Sequence, residues 1–170
     1  MPNLQILPEC YADTALVYQF VPDYQLVVHI SGITNVAKEM QEAVARNDES
    51  TRVGFVDNDK AKRVPPYLRN FNTIFEQDKV LLKRNEQTNQ HLIVIDRAIE
   101  SFLLWNTLQV ELNVADYGFL HDIKAFGKAL KTSSIGSNTN YLRLLTDLHT
   151  RQAPGFFTLE RILNDFISIN

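Results

Sequence analysis

The sequence predicts an α/β protein: a mostly parallel central sheet flanked by helices, followed by a helical final third. Three observations carry this. Short apolar runs alternate with helix-period segments through the first part of the chain, to about residue 95. From Ala98 onward the apolar periodicity is helical throughout. Finally, 170 residues with 45% hydrophobic and 22% charged content suit one globular domain with a substantial core.

Leu4 to Leu7 is an apolar run stopped by Pro8, and behind it Ala12, Ala15, Leu16 and Phe20 fall near one helical face. This is a strand followed by a helix. Tyr24 to Ile30, apolar and β-branched, reads as a second strand, broken by Ser31-Gly32 before a helix over Val36 to Arg46. Arg52 to Val56 gives a third short strand. Pro65-Pro66 then forces an irregular connection, with a helical turn or two expected around Phe71 to Phe75. Val80 to Lys83 and His91 to Ile95 are two further strands. Alternating strands and helices imply parallel strands with right-handed crossovers. Helices are expected over Ala98 to Leu108, Phe119 to Leu130, Tyr141 to Leu148 and Phe157 to Ile167, with Thr132 to Asn140 as a mobile loop. The economical division is a single domain over 1–170, with a core at about 4–104 and a helical extension at about 105–170.

Composition narrows the function classes. A formal net charge of -3 announces neither a nucleic-acid binder nor an acidic tail, though it permits a local basic patch. The single cysteine, Cys10, excludes an intrachain disulfide framework and a Cys-based zinc site, and His29, His91, His121 and His149 are scattered without ligand spacing. No apolar run approaches the roughly 20 residues of a membrane span, and no signal-peptide pattern opens the chain. A soluble, cytoplasmic protein that does not enter the membrane is expected.

The chemistry-bearing residues are acids at strand ends. Glu9-Cys-Tyr-Ala-Asp13 closes the first apolar run, and Asp57-Asn-Asp59 closes the run Val53-Gly-Phe-Val56. In α/β proteins ligands bind beyond the carboxyl ends of the strands, so these carboxylates can converge on one hard cation such as Mg²⁺. Glu9 and Asp13 sit one helical turn apart and can face one crevice. The plainer alternatives are a first-turn acid at Asp13 and an Asx-turn at Asp57 to Asp59.

In order and spacing, Glu-Cys-Tyr-Ala-Asp after one strand and Asp-Asn-Asp-Lys-Ala after a later one resemble the Toprim domain shared by topoisomerases, bacterial primases and overcoming-lysogenization-defect-type nucleases. The resemblance spans about residues 4–104. It implies a compact Toprim-like α/β sheet, with Glu9, Asp57 and Asp59 binding Mg²⁺ (or Mn²⁺) and Asp13 a supporting acid, all four belonging to the catalytic centre. The nuclease-like branch has a further acid in the helix after a later strand, which here implies Glu100 as a ligand. The chain departs from the pattern at Cys10, where the family carries glycine, and at Lys62, where it carries a small residue.

What the resemblance implies is a metal-dependent phosphodiesterase or nuclease acting on a DNA or RNA backbone, in which one or two ions polarise the phosphodiester and activate water. Lys60, Lys62 and Arg63 follow the Asp pair and are the candidates for substrate phosphate, with Arg69 and Lys83-Arg84 nearby. Lys124, Lys128 and Lys131 recur at helical spacing and would share one face, either solvated or touching a phosphate backbone. The alternative is a non-catalytic module of the same fold that binds a metal, a nucleotide or a protein partner. A protein partner or a second copy would then dock through the C-terminal helices. A receiver-like phosphoacceptor is disfavoured by the lone Glu9 before Cys10 and by Lys83-Arg84 closing a strand.

Overall fold

The computed structural model describes residues 4–58 and 63–169. Strand β1 (Leu4–Pro8) ends at Pro8, and after two intervening residues the chain enters helix α1 (Tyr11–Val17), as expected. Tyr24 to Ile30 departs from the expected full strand. It starts as a 3₁₀ turn at Tyr24–Leu26, because the Asp23 carboxylate accepts the Gln25 N–H at 2.9 Å and caps the turn. It then runs extended beside β1, where Val28 and Ile30 donate to the carbonyls of Ile6 and Pro8 at 2.9 Å each. Helix α2 (Ile33–Ala45) and strand β2 (Thr51–Asp57) follow.

Beyond a 3₁₀ turn at Pro66–Asn70, the helical turn expected around Phe71 to Phe75 is replaced by strand β3 (Asn72–Gln77). β3 pairs antiparallel with β4 (Val80–Asn85) through the two-residue turn Asp78-Lys79, both at positive φ (51° and 67°). Those angles define a type I′ turn, whose twist suits a hairpin. β5 (Gln90–Ile95) completes a five-stranded sheet of order β1-β2-β5-β4-β3.

The sheet is mixed rather than mostly parallel. β1, β2 and β5 are parallel, whereas β5-β4 and β4-β3 are antiparallel. The physical reason is connection length: the loops joining β3, β4 and β5 are far too short for a crossover helix, which needs a dozen or more residues.

Alternation along the strands builds two cores. Val53 and Phe55 of β2, with Ile93 and Ile95 of β5, face the larger one; Val56, Leu92 and Val94 face a smaller one under α2 with Val36 and Met40. Gly54 lets α2 sit directly on the sheet, since a Cβ there would lie 2.8 Å from Leu92 Cδ1 and 3.0 Å from Met40 Sδ.

The larger face is covered by the helical final third: α3 (Ile99–Gln109), α4 (Ile123–Leu130), α5 (Thr139–Thr150) and α6 (Pro154–Ile169). One buried cluster runs from Leu4 to Leu163, so these helices share the core of the sheet. The stretch expected as a mobile loop forms a 3₁₀ turn at Ser133–Ser137 whose Ile135 is buried in that cluster. Among the described residues no helix is long and apolar enough to cross a membrane.

His91 on β5 packs edge-on against Phe166 of α6, with ring centroids 4.8 Å apart. Burial, and secondarily the Arg84 charge, pulls its pKa from 6.5 down to about 4. The unfolded chain therefore takes up a proton below about pH 6.5 that the folded chain refuses until about pH 4, so stability is lost as pH falls through that window. The shift sets a ceiling of ~3 kcal/mol, and partial exposure reduces this to about 1–2 kcal/mol. Urea unfolding at several pH values in this window is expected to show the loss in the wild type and a flatter profile in His91→Gln.

Candidate functional site

Register places the acids. Pro8 of β1 lies opposite Phe55 of β2, and Asp57 opposite Ile95 of β5, so Glu9, Asp57 and the start of α3 meet at one sheet edge. This is the carboxyl end of the parallel half of the sheet, as anticipated from the punctuation of the apolar runs. Glu9 is 4% exposed, and its Oε1 accepts the backbone N–H of Asp57 at 3.0 Å, which ties the two strand ends together.

Asp13 reaches the same place from α1 and is fully buried. Cys10 caps that helix: its sulfur accepts the Asp13 N–H at 3.4 Å and its thiol donates to Asp13 Oδ2 at 2.9 Å. Burial, then the Asp13 charge, pushes the Cys10 pKa far up, so Cys10 is a thiol and not a nucleophilic thiolate. Beneath lies Tyr141 of α5, fully buried, whose hydroxyl donates to the Ala12 carbonyl at 3.0 Å and fastens α5 to α1. Its pKa is raised by burial first and then by the negative charge of Asp13.

Glu9, Asp13 and Asp57 each present a carboxylate oxygen, and these oxygens all lie within 4.8 Å of one another. Oxygens on an octahedral Mg²⁺ at ~2.1 Å are separated by about 3 Å when adjacent and about 4.2 Å when opposed. The three donors thus fit a hard cation with little movement. Two carboxylates both ionised at that separation would repel by about 3 kcal/mol at an effective dielectric of ~20, a cost that a bound cation would offset.

At Glu9 and Asp57 opens a cavity of about 260 Å³ whose wall also includes Cys10, Glu100 and Lys131. Glu100 stands in the first turn of α3, close against α4, where a Cβ on Gly127 would come within 3.0 Å of Glu100 Oε1. It lines the cavity but is not one of the three acids that converge. Asp59, Lys60 and Lys62 lie outside the described residues. Arg63 is exposed and is not part of the cavity wall. Lys131 also borders a neighbouring hollow of about 470 Å³ with Lys124, Lys128 and the shared wall of Glu100 and Gly127. The three lysines of the α4 face therefore flank the acidic cavity.

Two wall residues carried no usable signal in the sequence: Tyr11 and His29, whose rings stack with centroids 4.2 Å apart and planes 18° from parallel. A lone histidine has no spacing partner to reveal it, and only the pairing of its segment with β1 brings it here. No family model matches the chain, and no curated protein or solved structure matches it either.

Proposed function

We propose that the chain is a Mg²⁺-dependent phosphoryl-transfer protein of the Toprim kind, a small nuclease-like enzyme acting on nucleic acid. The observation that supports this reading is the convergence of Glu9, Asp13 and Asp57 at the carboxyl ends of two adjacent parallel strands, where a cavity opens at Glu9 and Asp57. An all-oxygen, all-carboxylate donor set suits Mg²⁺ or Mn²⁺ rather than a softer metal. Glu9, Asp57 and Asp13 would hold the ion; the Toprim resemblance adds Asp59, and Glu100 lines the same cavity. When bound, the ion supplies Lewis-acid polarisation of a phosphodiester and a more acidic water.

The chain's own residues do the positioning. Glu9 is fixed by the Asp57 N–H and Asp13 by the Cys10 thiol, so neither carboxylate swings freely. Lys131, with Lys124 and Lys128 beyond it, offers positive charge to the phosphates that flank the reacting one. Cys10 favours one second reading. Its side chain stands where the Toprim pattern has glycine and lines the cavity, so a non-catalytic module would keep the metal and exclude the phosphodiester.

The two readings separate in one assay of a labelled single-stranded oligonucleotide with Mg²⁺, with Mn²⁺ and with EDTA. Cleavage that depends on the divalent ion is the expected result. Metal binding without cleavage of DNA or RNA would favour the non-catalytic module.

A further inference from the structure

We propose that His29 is the proton acceptor of this cavity, held with Nδ1 protonated and Nε2 presented to the cavity as a lone-pair nitrogen; this rests on the phosphoryl-transfer reading above. His29 lies between Val28, which donates to Ile6, and Ile30, which donates to Pro8, so its backbone is pinned beside the end of β1. Its ring is fixed twice by α1: Tyr11 stacks on one face, and Thr14 Oγ1 lies 3.0 Å from Nδ1.

The hydrogen count at Thr14 chooses the tautomer. The hydroxyl has one hydrogen, and the Cys10 carbonyl oxygen lies 2.8 Å from it. If that hydrogen goes to Cys10, Nδ1 must carry a proton and donate to Oγ1, and both contacts are hydrogen bonds. If it goes to Nδ1 instead, the Cys10 contact is lost and one bond remains. The first arrangement keeps one more hydrogen bond than the second, which favours it. Nε2 is then the imidazole's basic atom, on the edge that neither Thr14 nor Tyr11 occupies, in a wall shared with Glu9 and Asp57.

The step this permits is balanced. A water oxygen bonds to phosphorus while its proton passes to Nε2; the bond from phosphorus to the leaving oxygen breaks with its electron pair, and the imidazolium returns the proton to that oxygen. The other described histidines have different surroundings: His91 sits against Phe166, His149 lies 3.2 Å from Glu160, and His121 is exposed and is not part of the cavity wall.

Imidazole ¹⁵N spectra of the intact chain test the tautomer without any substrate. His29 is expected to show a protonated Nδ1 and a lone-pair Nε2, Thr14→Val is expected to erase that bias, and added Mn²⁺ is expected to broaden His29 more than His91 or His149. Hydrolysis of bis(4-nitrophenyl) phosphate with Mg²⁺ tests the role. His29→Asn keeps a donor toward Thr14 but has no Nε2, and is expected to lower kcat by ~10²–10⁴-fold with KM little changed. An Nε2-protonated tautomer, or undiminished kcat in a folded His29→Asn, would overturn the inference while leaving the metal site standing. A wild type that cleaves neither this diester nor an oligonucleotide would overturn the phosphoryl-transfer reading, and the role of His29 with it.

Discussion

Truncating Phe156 to Ala is expected to lower the unfolding free energy by about 3–5 kcal/mol. The ring is fully buried at the start of α6, stacked 6.0 Å from Phe102 of α3 and edge-on to Phe20 at 5.7 Å. It therefore joins the helical final third to the segment that follows α1, and removing it leaves a void that three separate elements border. A domain of this kind has about 5–15 kcal/mol to lose, so the variant should approach the margin. For a chain of this length the midpoint should drop by about 6–20 °C. Thermal and urea unfolding read the effect directly. Phe157, the next residue, is 45% exposed, and its replacement by Ala should change stability far less. Equal effects from the two would show that α6 is not seated as described.

The second large effect concerns function. Glu9→Gln keeps the shape of the side chain and an oxygen that can still accept the Asp57 N–H, so the fold should survive. What the change removes is the charge. Replacing groups that merely orient a metal's ligands costs 10–100-fold in affinity or activity, so loss of a direct carboxylate is expected to exceed ~10²-fold in Mg²⁺ affinity and in divalent-dependent cleavage. Circular dichroism and melting on the same samples separate this from unfolding. A Glu9→Gln protein with unchanged affinity and cleavage would remove Glu9 from the ligand set.

The convergence of three acids was more legible in the sequence than the sheet around it. Glu9, Asp13 and Asp57 stand out because acids immediately follow buried apolar runs, and the parallel register of β1 and β2 then brings them side by side. The antiparallel half was hidden for a physical reason. β3 is an exposed edge strand, so its residues carry little burial alternation, and its turn is Asp78-Lys79 rather than the Asn-Gly or Asp-Gly that usually announces positive φ. Tyr24 to Ile30 looked like a strand because it is apolar, but Asp23 captures the Gln25 N–H and winds the first three residues into a turn. Thr132 to Asn140 is polar by composition, and a single apolar residue, Ile135, suffices to bury it against the core. His29 and Lys131 enter the site only through tertiary placement, on an extended segment and at the end of a helix well separated in sequence from the acids.

The carboxylate cluster is tested most directly by titration calorimetry of the wild type and of Asp57→Asn with Mg²⁺ and then Mn²⁺. Binding in the wild type that is lost in the variant, with both proteins melting cooperatively, is the expected outcome. A wild type that takes up neither ion, or an Asp57→Asn protein that binds as tightly as the wild type, would contradict a metal centre built on Glu9, Asp13 and Asp57.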